Sequence, residues 1–140
     1  MKAPTYIKKS KICVEDNVSL LSHRDVLRLF GYKGGHYQRA VWAIERFNEW
    51  VWFPKLYPNS DWENSFNKET NTITEHRKDF RDIGPPDQND QPNRLVFAHQ
   101  RNIFGQTVYK FYGIFRTDLA RSNNLYHYHN RVELCIDLKK

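Results

Sequence analysis

No run of apolar residues in this chain is long enough to span a membrane, and its opening segment, MKAPTYIKKSKI, lacks the apolar centre of a signal peptide. Cysteine is scarce. Cys13 and Cys135 stand near opposite ends, within Ile12-Cys13-Val14 and Leu134-Cys135-Ile136. Two such residues make no disulfide framework. They read as buried free thiols, with a bond joining the two ends of the chain as the unsupported alternative. A reducing, cytoplasmic setting without membrane partners is expected. The residue spacings of several chemistries are also missing. No cysteine pairs or carboxylates accompany the histidines at the intervals zinc sites use, so no metal is expected. The glycine-rich GYKGGHY, residues 31–37, has neither the Lys-Ser/Thr ending of a P-loop nor a GxGxxG spacing, and no cofactor is expected. Glu15-Asp16 and Asp79 with Asp82 are paired acids, but no Asp precedes a strand-borne Glu-x-Lys, as a metal-dependent nuclease would require. The chain contains no internal repeat and no low-complexity tract.

Aromatic residues are plentiful. Four Trp, 8 Tyr and 9 Phe make up 15% of the 140 residues, too much ring mass for a disordered chain. A chain of this length fits one domain, 1–140, and can bury a core. Charge is basic, with 22 Lys+Arg against 16 Asp+Glu. Residues 1–70 and 71–140 each carry 11 basic and 8 acidic side chains, so there is no basic tail and any positive patch is assembled by folding. A basic domain of this size suits phosphate-bearing partners.

Residues 1–11 read as a flexible arm, followed by a short strand over Ile12–Val14. SHRDVLRLFG predicts a helix capped by Ser22, with Asp25 in capping-box position, an apolar face of Val26, Leu27, Leu29 and Phe30, and Gly31 as the stop. Residues 36–56 fit a helix or a strand at first and a strand later, where Trp50 and Trp52 alternate with Val51 and Phe53. Thr70 to Glu75 alternates. DFRDIGPPDQNDQPN, 79–93, holds three of the six prolines and reads as an exposed, mobile loop. Strands follow over 94–100 and 107–116, and LYHYHNRVELCIDL closes the chain as one strand or two. This order predicts an α+β fold: a small bent antiparallel sheet or β-barrel, with one or two helices near the N-terminus.

Two histidines, His127 and His129, share a face if their segment is a strand, and read as exposed, with Tyr126 and Tyr128 pointing inward. His36 with Glu75 or His76 would make an acid–base pair, but nothing in the sequence brings them together. What stands out is the interleaving of rings and cations. Tyr37, Arg39 and Trp42 lie together, as do Trp50, Trp52 and Lys55. Trp62 neighbours Asp61 and Asn64. Arg101, Lys110 and Arg116 flank Tyr109, Phe111, Tyr112 and Phe115. Rings stack bases, cations hold phosphates, and Asn or Asp reads base edges. Core packing is the competing role for each ring, although four tryptophans are hard to bury fully. Strict alternation puts Tyr109, Phe111, Gly113 and Phe115 on one face, and Val108, Lys110, Tyr112, Ile114 and Arg116 on the other. Gly113 in mid-strand marks a bulge, a bend or a close backbone approach.

The hairpin RLVFAHQRN…VYKFYGIFRTD, within 94–118, resembles that of small PUA-like barrels, the group that includes the EVE and SRA readers of modified bases. It also resembles recognition modules attached to bacterial and phage restriction enzymes. The resemblance implies a cleft that binds nucleic acid, often with a flipped base between aromatic rings, and makes Trp42, Trp50, Trp52 and Trp62 candidates for that cage. The expected function is therefore non-catalytic binding of nucleic acid, DNA rather than RNA. The expected site comprises Lys33, His36, Arg39, Trp42, Trp50, Trp52, Lys55, Trp62, Asn64, Arg101, Lys110, Tyr112 and Arg116. Two alternatives stand beside it: a small metal-independent nuclease or RNase-type toxin, and a phage or bacterial inhibitor domain whose exposed rings bind a protein.

Overall fold

The computed structural model describes residues 11–30, 41–44, 49–57, 59, 61–86 and 93–138, with backbone alone for 41–44 and 49. The arm 1–10 and the glycine-rich 31–40 lie outside them. None of its helices is long and apolar enough to cross a membrane.

The chain opens with β1 (Lys11–Cys13), a 3-10 turn at Val14–Asp16 and β2 (Ser19–Leu20). α1 (His23–Leu29) follows. Its cap is the expected one: the Ser22 hydroxyl accepts from the Asp25 amide at 3.1 Å. Val26, Leu27 and Leu29 are buried. The ambiguous stretch resolves into strands β3 (Val41–Ile44) and β4 (Glu49–Trp52). β5 (Ser65–Asn67) and β6 (Thr72–Glu75) form a hairpin, β7 (Arg94–Arg101) and β8 (Thr107–Thr117) the long one, and β9 (His127–Glu133) and β10 (Cys135–Asp137) end the chain. α1 is the one α-helix among the described residues.

The large sheet runs β3-β4-β7-β8-β9-β6-β5, and β2 pairs the first part of β8. Among the described residues it is an open sheet and not a closed barrel. It is also not wholly antiparallel. β4 runs parallel to β7, with Trp50 opposite Arg94 and Trp52 opposite Val96. A parallel pair needs a long crossover. Here the chain between 53 and 93 travels to the far edge, lays down β5 and β6, and returns.

Both faces of the sheet are covered, and alternate residues feed them. Val51, Leu95 and Phe97 join Val26, Leu27, Phe111 and Ile114 in the larger core, under α1. Trp52, Val96 and Ala98 join Ile73 and Phe115 in the smaller one, against Leu56, Phe66 and Tyr112. The alternation expected for β8 does not survive its bulge. Pairing steps from Val96–Gly113 to Phe97–Phe111 and leaves Tyr112 as the extra residue. Phe111 and Ile114 therefore share the larger core, while Phe115 turns to the smaller one. Gly113 permits this. Its φ is +108°, and a Cβ there would stand 2.7 Å from the Glu133 carbonyl oxygen.

β1 pairs antiparallel with β10 and sets Cys13 opposite Cys135. Their sulfurs are bonded, which corrects the expectation of free thiols. A sequence separation of 122 hid a pairing that only the meeting of the two end strands creates. In the loop expected over 79–93, residues 79–82 are exposed, but Ile83 donates its amide to the Asn124 carbonyl at 2.7 Å and Pro86 is buried. Residues 87–92 lie outside the described part.

Candidate functional site

After Trp52 the chain leaves β4, skirts the sheet and re-enters at β5, and this excursion walls a pocket of about 320 Å³. Trp52, Phe53, Pro54, Lys55, Asn59, Trp62, Asn64 and Glu75 line it. The size is at the small end of ligand sites, which run from about 300 Å³ upward. Both arms of the excursion are pinned. On the inner side His99 donates its amide to the Pro54 carbonyl at 2.8 Å, and Tyr57 reaches the His99 ring at 2.6 Å. On the outer side Glu63 donates its amide to His76 at 2.9 Å, and the Lys78 amide donates to Asp61 at 2.9 Å. Asn59 closes the turn by donating its amide to the Trp62 carbonyl at 2.9 Å. The walls are extended chain hydrogen-bonded at each end, so the pocket is preformed.

Two of its polar side chains offer acceptors. Asn64 is 8% exposed, and its Oδ1 is buried with no hydrogen-bond partner among the described residues. A buried unpaired carbonyl oxygen is costly, and a ligand donor would relieve it. Glu75, at the end of β6, is held by His129, whose Nε2 lies 2.6 Å from its Oε1. Burial pushes the Glu75 carboxyl up, but the hydrogen bond from His129, with the Arg94 guanidinium near, outweighs burial and holds it below the ordinary carboxylate range. Burial also pushes the His129 imidazole down, against the pull of Glu75. The pair is therefore an ionised carboxylate and a neutral imidazole at neutral pH. A carboxylate only accepts, so Nε2 carries the proton, and Nδ1 accepts from the Thr117 hydroxyl 2.9 Å away. The pocket thus has two indoles, two acceptors and one exposed cation, Lys55.

His129 is 1% exposed, which corrects the reading of an outward His face on β9. It lies under Trp52, ring centroids 4.9 Å apart. Among the described residues the partner of Glu75 is His129; His36, the histidine considered as a partner for Glu75 or His76, lies outside them. His76 faces Glu63 instead, at 3.5 Å.

Four of the expected site residues meet here: Trp52, Lys55, Trp62 and Asn64. Trp50 is half-buried next to them, and the Arg94 guanidinium lies 5.5 Å from its ring and 5.0 Å from that of Trp52. Tyr112 packs edge-on against Phe66 and accepts from the Gln100 amide. Lys110, half-buried, pairs with Ala98 across the β7–β8 hairpin, while Arg101 and Arg116 are exposed away from the pocket wall. Lys33, His36, Arg39 and the side chain of Trp42 lie outside the described residues. The pocket carboxylate that the expected site left out is Glu75. Its signal was its place at the end of the alternating run 70–75, but its partner stands 54 residues away. Among the described residues no group of three or more His, Cys, Asp or Glu could hold a metal ion.

A family model described as the SET and RING associated domain, SRA, matches residues 5–138. Among solved structures, the 5-hydroxymethylcytosine-specific restriction enzyme AbaSI superposes with a TM-score of 0.79 at 28% identity. The match covers 97% of this chain but 45% of AbaSI, so the chain spans less than half the length of that enzyme. No curated protein matches.

Proposed function

The chain belongs to the SET and RING associated domain family, and on that premise we propose that it is a non-catalytic DNA-binding module that takes a modified cytosine, turned out of the duplex, into the pocket between Trp52 and Trp62. The observation that carries this reading is the unpartnered Oδ1 of Asn64 in the wall of a preformed pocket whose other polar wall is the Glu75 carboxylate. Two acceptor-bearing residues in one pocket wall suit an exocyclic amine, and carboxylates accept from cytosine N4. The half-buried Trp62 indole supplies stacking surface. The pocket's small volume excludes the backbone and favours one base. The similarity to AbaSI supports a 5-modified cytosine as the base.

The nuclease alternative is less well supported by this geometry. An acid–base pair has to reach the substrate. Glu75 lines the pocket, but His129 lies beneath it, with both ring nitrogens occupied.

Binding of the full chain to duplexes that carry one 5-hydroxymethylcytosine, 5-methylcytosine or unmodified cytosine, read by fluorescence anisotropy, tests the proposal. The parent should prefer a modified duplex. Trp62→Ala and Asn64→Ala should keep a cooperative melt, because Trp62 is half-buried and the Asn64 Oδ1 is unpaired. Loss of one stacked base costs roughly 1–3 kcal/mol, so Trp62→Ala should bind about 5- to 150-fold more weakly. Trp52 is 4% exposed in the smaller core, and Trp52→Ala should destabilise the fold by about 3–5 kcal/mol. Equal affinity of parent and Trp62→Ala for all three duplexes would remove the pocket from DNA recognition.

A further inference from the structure

Beside the pocket wall, basic groups gather on one face of the sheet. Lys55 is bridged to His99 on β7, and Arg101 stands two residues further along that strand, so the three project from the same face. Tyr109 on β8 is opposite His99, with ring centroids 5.4 Å apart. From α1, His23 packs edge-on against the same Tyr109 at 4.7 Å. Lys110 is paired with Ala98 and belongs to the opposite face. Lys55 and Arg101 are exposed, and His99 is half-buried. None of these three is in an ion pair among the described residues. Arg101 Nη1 donates only to a neutral acceptor, the Gly105 carbonyl, at 3.2 Å.

His99 can change its charge without disturbing the wall. Its amide donates to the Pro54 carbonyl at 2.8 Å, and its Nδ1 lies 2.6 Å from the Tyr57 hydroxyl. When the ring is neutral, Tyr57 donates to Nδ1 and Nε2 carries the N–H. When the ring is charged, both nitrogens donate and the hydroxyl turns to accept. Nε2 has no partner among the described residues, and it is a donor in either state. Burial, and then the positive charges of Lys55, Arg101 and His23, push the imidazole below the ordinary histidine range. The other titratable groups packed on it are the phenols of Tyr57 and Tyr109. The charges that act on the ring are thus all of the sign an anion would offset. A phosphodiester oxygen at Nε2 brings an opposite charge within hydrogen-bond reach, which favours the charged ring. Lys55 and Arg101 supply the charge that holds it there.

We propose that Lys55, His99 and Arg101 form a phosphate site at the edge of the pocket, and that His99 takes up a proton there when a DNA phosphodiester binds. This rests on the DNA-binding reading above and not on which base enters the pocket, because every duplex carries the phosphate. The proton comes from solvent, the imidazole becomes imidazolium, and the phosphodiester keeps its charge. Affinity therefore rises as pH falls, by up to about tenfold per pH unit between the pKa values of the free and the bound ring. The fold itself weakens over the same range, because the buried His129 resists protonation. Binding and stability move in opposite directions, which a merely structural role for His99 would not produce.

The experiment titrates the parent and His99→Gln with an unmodified duplex from pH 8 to pH 5.5, read by fluorescence anisotropy at a temperature below both melts. The parent should bind about 3- to 10-fold more tightly at the lower pH, and its log–log salt slope should be steeper there by about 0.9. His99→Gln keeps an N–H donor and should match the parent at pH 8 to within about 3-fold, but its affinity should change less than about 2-fold with pH and its slope should stay constant. In the parent alone, the NMR titration midpoint of the His99 ring should rise by about one pH unit in saturating duplex. An affinity of the parent that is flat with pH overturns the site, as does a His99→Gln protein that keeps the parental gain. A midpoint that duplex does not move overturns it as well, whether or not the variant folds. Tighter binding at low pH without preference for modified cytosine sinks the pocket reading and leaves this site standing, whereas a parent that binds no duplex at any pH sinks both.

Discussion

Glu75 and His129 show how much one residue's meaning depends on a neighbour that is remote in sequence. Read along the chain, Glu75 ends a short alternating run and His129 decorates a strand. In the fold the imidazole is a buried prop that orients a carboxylate at a pocket wall. Both groups have folded pKa values below their ordinary ones. Depressed groups stabilise the fold above their unfolded pKa and lose that contribution as pH falls. For His129 the loss begins below about pH 6.5, where the unfolded imidazole takes up a proton that the buried one resists. For Glu75 it continues into the carboxylate range. Thermal stability should therefore fall as pH drops from 7 towards 4. His129→Gln should remove the upper part of that slope, which melts of parent and variant at half-unit pH steps would reveal. Trp52 and Trp62 were legible as site candidates because rings beside Asn64 and Lys55 form a chemical pattern within a few residues. Which indole is core and which is wall was not, because that depends on β4 lying beside β7.

Strands betray themselves by alternation, and where alternation holds, the sequence and the structure agree. The cap of α1 was legible in four residues, from Ser22 to Asp25. β8 was legible as a strand, and Gly113 as its irregular point, but the faces beyond it were not. A bulge changes which residues look inward, and the sequence does not say where the extra residue sits. Gly113→Ala would put a methyl group 2.7 Å from the Glu133 carbonyl and 2.9 Å from Arg131 Cδ, at a φ that L residues rarely adopt. The strained dihedral alone costs about 1–3 kcal/mol. The melting temperature should fall by several degrees, with Gly113→Val worse than Gly113→Ala, and binding should weaken only as far as unfolding removes protein. An unchanged melt would mean that the β8–β9 pairing relaxes around a side chain.

For the whole molecule, a net charge of +6 is spread along the chain, and the pocket itself holds one Lys and one Glu. Phosphate contacts therefore have to come from exposed surface cations, of which Lys55 stands at the pocket wall. DNA affinity should fall linearly in log–log form with salt, by about 0.9 for each phosphate contacted. Lys55→Ala should reduce that slope by about one across modified and unmodified sequences, whereas Trp62→Ala should leave the slope alone. Titrations at four salt concentrations separate the two. The bond between Cys13 and Cys135 has a different consequence. It makes residues 13–135 a covalent ring, so one cut inside the ring releases no fragment. A protease that cuts the exposed Phe80–Asp82 segment should yield a product of unchanged mass on a denaturing gel without reductant, and two pieces once thiol is added. Until then each piece holds the other at high effective concentration, so the nicked chain should still refold after denaturation and lose that ability only when reduced.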